Sequence, residues 1–173
     1  LRADLSDTEQ VDALVQTVKD EAGRLDVLVN NAGFSVDRDI NSMKIDEFDH
    51  QRSVTRGTWY LTKRVLRLFM LRKGTGRIIN ISSVVGHAGN PGQIPYTMEK
   101  AALDALTRSL AKELWGREIL VNSVAPGFIQ TAMTDTLPED VRNGILANVP
   151  LGRMGTPEEA AEVVPFLSRR GYY

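Results

Sequence analysis

Cysteine is absent from the 173 residues. That absence removes disulfides, thiolate nucleophiles and sulfur-ligated zinc, favours a reducing compartment, and makes the cytoplasm the expected location. Histidine is nearly absent too: His50 and His87 are the only two, and neither is spaced with Asp and Ser as a hydrolytic triad requires. No charge of one sign dominates. The 21 Lys+Arg against 22 Asp+Glu leave a net charge of −1, which argues against nucleic acid as the main partner, because phosphate binding shows as a basic excess. Long apolar runs are missing as well. The longest uncharged stretch, from Ile78 up to Glu99, is broken by Asn80, Ser82, Ser83, Gly86, His87, Gly89, Asn90, Pro91 and Gly92, so no segment reads as membrane-spanning. The opening Leu1-Arg2-Ala3-Asp4 has neither an initiator Met nor a signal-peptide core, so the chain is expected to begin inside a longer protein. What remains, 42% apolar and 25% charged, has the proportions of one ordinary globular domain.

Helix and strand patterns alternate without repeats or low-complexity segments, which implies an α/β fold with a parallel sheet and covering helices. Ser6 to Glu9 reads as a Ser-x-x-Glu capping box. Val11, Leu14, Val15 and Val18 follow at helical spacing to about Ala22, where Gly23 stops the helix. Leu25 to Val29 is an apolar run ending in Asn30-Asn31-Ala32-Gly33, the pattern of a buried parallel strand feeding a loop. Ile45 to Leu71 reads as a long helix ended by Gly74 and Gly76. A second strand, Arg77 to Ser83, leads through a Gly/Pro/Asn-rich loop to a helix over Tyr96 to Trp115. The third strand, Ile119 to Val124, closes on Ala125-Pro126-Gly127, and further helices begin near Pro138 and Pro157, the last ending near Ser168. Open α/β sheets bind ligands beyond the carboxyl ends of their strands, and here those ends carry the polar, Gly-rich loops.

Tyr96 and Lys100 lie four apart at a helix start, so both side chains project from one face. A phenol titrates at about 10, and a neighbouring ammonium lowers that value by favouring the phenolate, which lets Tyr96 exchange a proton with a carbonyl or hydroxyl. Ser83, at the end of the preceding strand, can hydrogen-bond the same substrate oxygen and hold it against the phenol. Taken alone, Tyr-x-x-x-Lys reads first as an exposed Tyr beside a solvated Lys; its weight comes from its company.

That company resembles the short-chain dehydrogenase/reductase family. Asn30-Asn31-Ala32-Gly33 after a strand, Ser83 thirteen residues before Tyr96, and Pro126-Gly127 follow that family's order. Narrower stretches are similar to its 3-oxoacyl-[acyl-carrier-protein] reductase branch: Gly76 to Ile81, Ser83 to Gly86, Gly89 to Gln93, Val124 to Ile129, and Val149 to Gly155. The likeness runs from about Asp4 to Leu167. It implies a doubly wound, Rossmann-like parallel sheet with residues 1–173 in a single domain, and a homo-oligomer, a tetramer in the family, paired through the helices at 45–71 and 96–115. It also implies NADPH, with NAD the lesser expectation, reducing a 3-oxoacyl thioester on acyl carrier protein in fatty acid synthesis. Tyr96 would be the proton donor, Ser83 would position the carbonyl, and Lys100 would hold the nicotinamide ribose. Asp4 would approach the adenine, Asn31, Ala32 and Gly33 the adenosine ribose and phosphate, and Pro126, Gly127, Ile129 and Thr131 the nicotinamide side, with Gln93 near the substrate. No metal is implied.

Several features depart from the family pattern. No Gly-x-x-x-Gly-x-Gly turn follows any strand, so two βα units of about 60 residues are expected before Leu1 and a last strand after Tyr173. A sheet lacking those strands is not expected to be stable by itself. The family's mid-helix Asn, which anchors a water in the proton relay, is not found at Ser53-Val54-Thr55. Met98 and Glu99 stand between Tyr96 and Lys100 where small residues are usual; Glu99 either weakens the field of Lys100 or faces water. Arg64, Arg67, Arg72 and Lys73 read as a solvated helix end complementing the helix dipole, or, with Arg117, as a docking patch for acidic acyl carrier protein. Two alternatives stand beside the reductase: a sister enzyme for another ketone or secondary alcohol, decided by the loop from Thr131 to Val149, and a catalytically silent member kept for assembly or nucleotide sensing.

Overall fold

The structure, a computed structural model, describes residues 1–135 and 137–169. Three parallel strands, β1 (Val27–Asn30), β2 (Thr75–Ile81) and β3 (Glu118–Val124), form a sheet in the order β1-β2-β3. Val27 stands opposite Arg77, and Thr75 opposite Glu118. Parallel neighbours need crossover helices, and these are α2 (Ile45–Val65) between β1 and β2 and α4 (Ile94–Glu113) between β2 and β3, while α1 (Thr8–Ala22) precedes β1 and packs on α2. Short helices complete the described chain: α3 (Val85–Ala88), α5 (Ala132–Asp135), α6 (Glu139–Leu146), α7 (Pro157–Ala161) and α8 (Val163–Ser168). The α/β expectation and the order of elements hold. No described helix is long and apolar enough to cross a membrane.

Alternation along the strands separates the two faces of the sheet. Asn30, Ile78, Asn80, Val121 and Ser123 face the layer built by α1, α2 and α4, where Val11, Val15, Val65, Phe69, Met70 and Leu110 close the apolar core. Arg77, of opposite parity, reaches the other face and donates to the Arg169 carbonyl at the end of α8. The helix-facing side also carries a buried polar ladder. The Asn30 amide donates to Thr62 Oγ1 at 3.0 Å and to Asn80 Oδ1 at 2.8 Å, and Asn80 donates to Thr107 Oγ1 at 2.8 Å. One chain of hydrogen bonds thus crosses α2, β1, β2 and α4.

Helix ends differ from expectation in small, explicable ways. The α1 N-cap is Asp7, whose carboxylate accepts from the Glu9 and Gln10 amides, while Ser6 donates instead to Asp4. A carboxylate caps better than a hydroxyl here because it also meets the positive end of the helix dipole. Gly23 ends α1 in the left-handed region at φ 66°, as expected. The long helix becomes a π turn over Leu66–Met70, with Leu71 N–H donating to the Leu66 carbonyl at 2.9 Å. Gly74, at φ 75°, turns the chain, but Gly76 belongs to β2, where a Cβ would run into the Met70 side chain. The helix expected from Tyr96 begins two residues earlier, with Pro95 in its first turn.

Asp26, just before β1, is bonded by the Arg24 guanidinium at 2.8 Å and by the Lys73 ammonium, and these hold its carboxyl down to about 2. A carboxyl depressed in the folded state adds stability that is present above its ordinary value of 3.8 and is lost as pH falls towards 2. Asp26→Asn is therefore expected to flatten the acid limb of stability in that window and leave neutral stability little changed, since the group is half exposed and screened. Acid unfolding followed by circular dichroism checks it; an acid limb identical to the parent protein's rejects the assignment.

Candidate active site

The carboxyl ends of the three strands converge on the first turns of α4. Ser82 N–H donates to the Val124 carbonyl at 2.7 Å and Val84 N–H to the Pro126 carbonyl at 3.1 Å, which ties the loops after β2 and β3 together. Lys100 Nζ donates to the Ile81 carbonyl at 3.1 Å, pinning α4 to the end of β2. Beneath it, Asp104 accepts from Ser82 and Ser123, at 2.9 and 2.6 Å, and pairs with His87 at 3.1 Å.

Ser83, Tyr96 and Lys100 come together at this end. Ser83 acts on the Tyr96 phenol, drawing its titration down, and Lys100 Nζ lies 5.4 Å from the Tyr96 ring centroid. Tyr96 is half buried and Lys100 is 4% exposed. The titration expected from sequence is reversed. Burial pushes the phenol above its ordinary value, with Glu99 and Asp37 adding to the rise and Ser83 opposing it. Burial likewise pushes Lys100 down, while Glu99 and Asp104 support its charge. Desolvation is the largest influence on both groups.

Of the two readings open for the Glu99 carboxylate, the one beside Lys100 holds. Glu99 does not face water: it is 3% exposed, its Oε1 lies 3.6 Å from Lys100 Nζ, and its Oε2 accepts from Gln51. Gln51, on α2 and fully buried, also donates to the Phe34 carbonyl at 2.8 Å and accepts from Val36 N–H at 2.9 Å. No feature of Gln51's sequence context marked it, because its partners are distant in the chain. At the positions expected for the relay Asn, Ser53 donates to the His50 carbonyl and Val54 is packed in the core.

The remaining candidates are distributed as follows. Asn31, Ala32 and Gly33 form the exposed loop after β1, and a Cβ on Gly33 would lie 3.2 Å from Lys100 Nζ. Pro126 and Gly127 follow β3, with open space where a Gly127 Cβ would stand. Ile129 forms a parallel bridge with Gly155, and Thr131 N–H donates to Thr134 Oγ1 at 2.8 Å. A cleft of about 450 Å³ lies beside these residues, lined by Ala125, Gly127, Ile129, Leu151, Arg153 and Val163 among others. Gln93 donates to Asp37 at 3.0 Å, so its amide binds the loop after β1. Asp4 spends its carboxylate on Ser6.

This arrangement fits the ribose and nicotinamide half of a dinucleotide. Lys100 has donor capacity beyond its single hydrogen bond, the glycine at 33 lets the backbone pass close to that ammonium, and Gly127 leaves room at the end of β3. Among the described residues no cluster of His, Cys, Asp or Glu could hold a metal ion.

A family model described as enoyl-(acyl carrier protein) reductase matches residues 1–171. The chain belongs to the short-chain dehydrogenase/reductase family. Within this family it is similar to the 3-oxoacyl-[acyl-carrier-protein] reductase FabG of Thermotoga maritima, 46% identical over 165 residues, which covers 95% of this chain and 67% of the relative. The FabG reductases of Vibrio harveyi and Pseudomonas aeruginosa are 44% and 46% identical over 169 residues, covering 97% of this chain and 69% and 68% of theirs. As a short-chain dehydrogenase/reductase the chain is an oxidoreductase of the nicotinamide dinucleotide class.

Proposed function

We propose that this chain carries the reductive centre of a 3-oxoacyl-[acyl-carrier-protein] reductase, which converts a 3-oxoacyl thioester to the 3-hydroxyacyl thioester in fatty acid synthesis with NADPH as reductant. The observation that carries the reading is the cluster of Ser83, Tyr96 and Lys100 at the strand ends of a chain 44–46% identical to reductases of that name.

Nicotinamide, when bound, supplies hydride to the carbonyl carbon, which no side chain here can do. The protein's part is to place and protonate the oxygen. Ser83 holds the carbonyl oxygen beside the phenol, and Tyr96 delivers its proton to that oxygen as negative charge develops. Lys100 then stabilises the phenolate left behind. A phenol held above its ordinary value stays protonated at neutral pH, which suits a proton donor. Lys100 also supplies donors to the ribose hydroxyls, with Asn31 to Gly33 beside the adenosine half, Asp4 towards the adenine and residues 126–131 beside the nicotinamide. Gln93 stands at the substrate mouth. Arg67, Arg72 and Arg117 are the proposed contacts for the acidic carrier protein, since Arg64 and Lys73 are paired with Asp12 and Asp26. Trp59 on α2 and Met98 on α4, each about half exposed, support association of copies through these helices, and the cytoplasm is the proposed location.

The test is NADPH oxidation by the full-length protein on a short 3-oxoacyl thioester, with a 2-enoyl thioester as the contrast that the family model's name invites. Turnover on the first and none on the second is expected. Turnover on simple ketones alone moves the chain to a sister enzyme, and no turnover at all supports the silent alternative. Ser83→Ala is expected to lower kcat about 10- to 100-fold while cofactor binding is unchanged, because it removes orientation and not the donor.

A further inference from the structure

We infer that Gln51 and Glu99 form a positioning pair for the Tyr96–Lys100 acid–base couple: Gln51 fixes the Glu99 carboxylate, and the fixed carboxylate sets how much of the Lys100 charge reaches the phenol. The inference rests on the reductase reading of Tyr96 and Lys100 given above. It adds two residues that neither touch the reacting atoms nor belong to the expected cofactor contacts.

The geometry carries it. Gln51 is fully buried, and its amide is saturated by the Phe34 carbonyl, the Val36 amide and Glu99 Oε2. It therefore has one orientation, and that orientation locks α2, the loop after β1 and α4 together. His50, next to it, stacks on Phe34 with ring centroids 4.5 Å apart and grips the same loop. Glu99 Oε2 is thereby committed, and Glu99 Oε1 is buried without any hydrogen bond, facing Lys100 Nζ at 3.6 Å. Gly33 stands over both groups: a Cβ there would lie 3.2 Å from Lys100 Nζ and 3.7 Å from Glu99 Oε1.

Stability does not account for the arrangement. A buried ion pair contributes little net stability because both ions lose water, and this one leaves a carboxylate oxygen unbonded. Its position does account for it. Among the described residues, Glu99 and Asp37 act on Tyr96, Glu99 and Asp104 act on Lys100, and Ser83 offsets part of the rise of the phenol. Asp104 is occupied by Ser82, Ser123 and His87, and Asp37 by Gln93. Among the described residues Glu99 alone acts on both members, and Gln51 and Lys100 restrain it.

The signs of the perturbations follow. Removing the Glu99 charge frees Lys100 to act on the phenol, so Glu99→Gln lowers the titration midpoint of Tyr96 by about one pH unit. Releasing the carboxylate from Gln51 lets it close on Lys100, so Gln51→Leu raises that midpoint, and Gln51→Leu combined with Glu99→Gln behaves as Glu99→Gln alone. The readout is the ultraviolet titration of tyrosine in the full-length protein without cofactor, with the Tyr96→Phe protein subtracted. The alkaline limb of kcat is expected to move in the same directions. Glu99→Gln is isosteric and carries the test by itself should Gln51→Leu not fold: an unmoved midpoint in folded Glu99→Gln overturns the pair. The two readings separate cleanly. A parent protein without turnover whose midpoint shifts as stated sinks the reductase reading and keeps the pair, whereas an active parent with an unmoved midpoint does the reverse.

Discussion

Tyr96→Phe is expected to lower kcat for 3-oxoacyl thioester reduction by about 1,000-fold, within the range for loss of a positioned general acid. Phe keeps the ring, so the packing of α4 and the contact of Lys100 with the ring face, 5.4 Å away, survive. Melting temperature and NADPH affinity should therefore change little while turnover collapses. Steady-state kinetics beside a cofactor titration checks this. A variant retaining more than a tenth of the parent kcat would remove Tyr96 from the mechanism. The pH profile sharpens the same prediction. Burial, Glu99 and Asp37 hold the phenol above its ordinary value of 10.0, so reduction should stay level through neutral pH and fall only on the strongly alkaline side, as the donor loses its proton. Oxidation of the hydroxyacyl product needs the phenolate and should rise with pH over the same region.

Asn80→Ala is expected to cost about 2–4 kcal/mol and lower the melting temperature by about 10 °C. Asn80 is fully buried at the centre of the ladder, accepting from Asn30 at 2.8 Å and donating to Thr107 at 2.8 Å. Truncation strips a partner from each neighbour and leaves a cavity between β2 and α4, and both terms act in the same direction. With total stabilities of roughly 5–15 kcal/mol, such a loss is a large fraction of the whole. The site should suffer with it, because Ile81, the next residue, receives the Lys100 ammonium, and Ser83 follows two positions on. Thermal unfolding of the full-length variant decides the matter: a drop below about 3 °C would mean that water or a rearranged Asn30 satisfies the ladder at no cost.

Much of this architecture was legible in the amino-acid order. Short β-branched runs such as Ile78 to Ile81 and the helical spacing of Val11, Val15 and Val18 are local signals, and they lie in β2 and α1 as read. Errors at helix ends came from competition between neighbours of similar chemistry: Ser6 and Asp7 can both cap, and Asp7 won on charge. Gly76 looked like a terminator because a glycine after Gly74 suggests a turn, yet its lack of a Cβ serves the close approach of Met70.

The site divides along the same line. Spacing put Tyr96 and Lys100 on one helix face, and the resemblance to the short-chain dehydrogenase/reductase family joined Ser83 to them. The direction of their titration could not be found from either, because it depends on burial and on charges brought from elsewhere. Spacing also left open whether Glu99 meets water: three residues after Tyr96 it borders the same face, but spacing does not say what packs against that face. Packing of α2 against α4 decided it.

By itself, then, the sequence determined the order of helices and strands and the loops that follow the strand ends, products of periodicity within a few residues, and through its family resemblance it pointed to the three polar groups that meet there. Only the tertiary structure decided that Gln51 reaches Glu99, 48 residues away, that Asn30 and Asn80 share a ladder, and that the phenol is raised instead of lowered. The physical reason is that desolvation and hydrogen-bond satisfaction are set by whatever else occupies the surrounding space, and in a parallel sheet that neighbour is always distant along the chain.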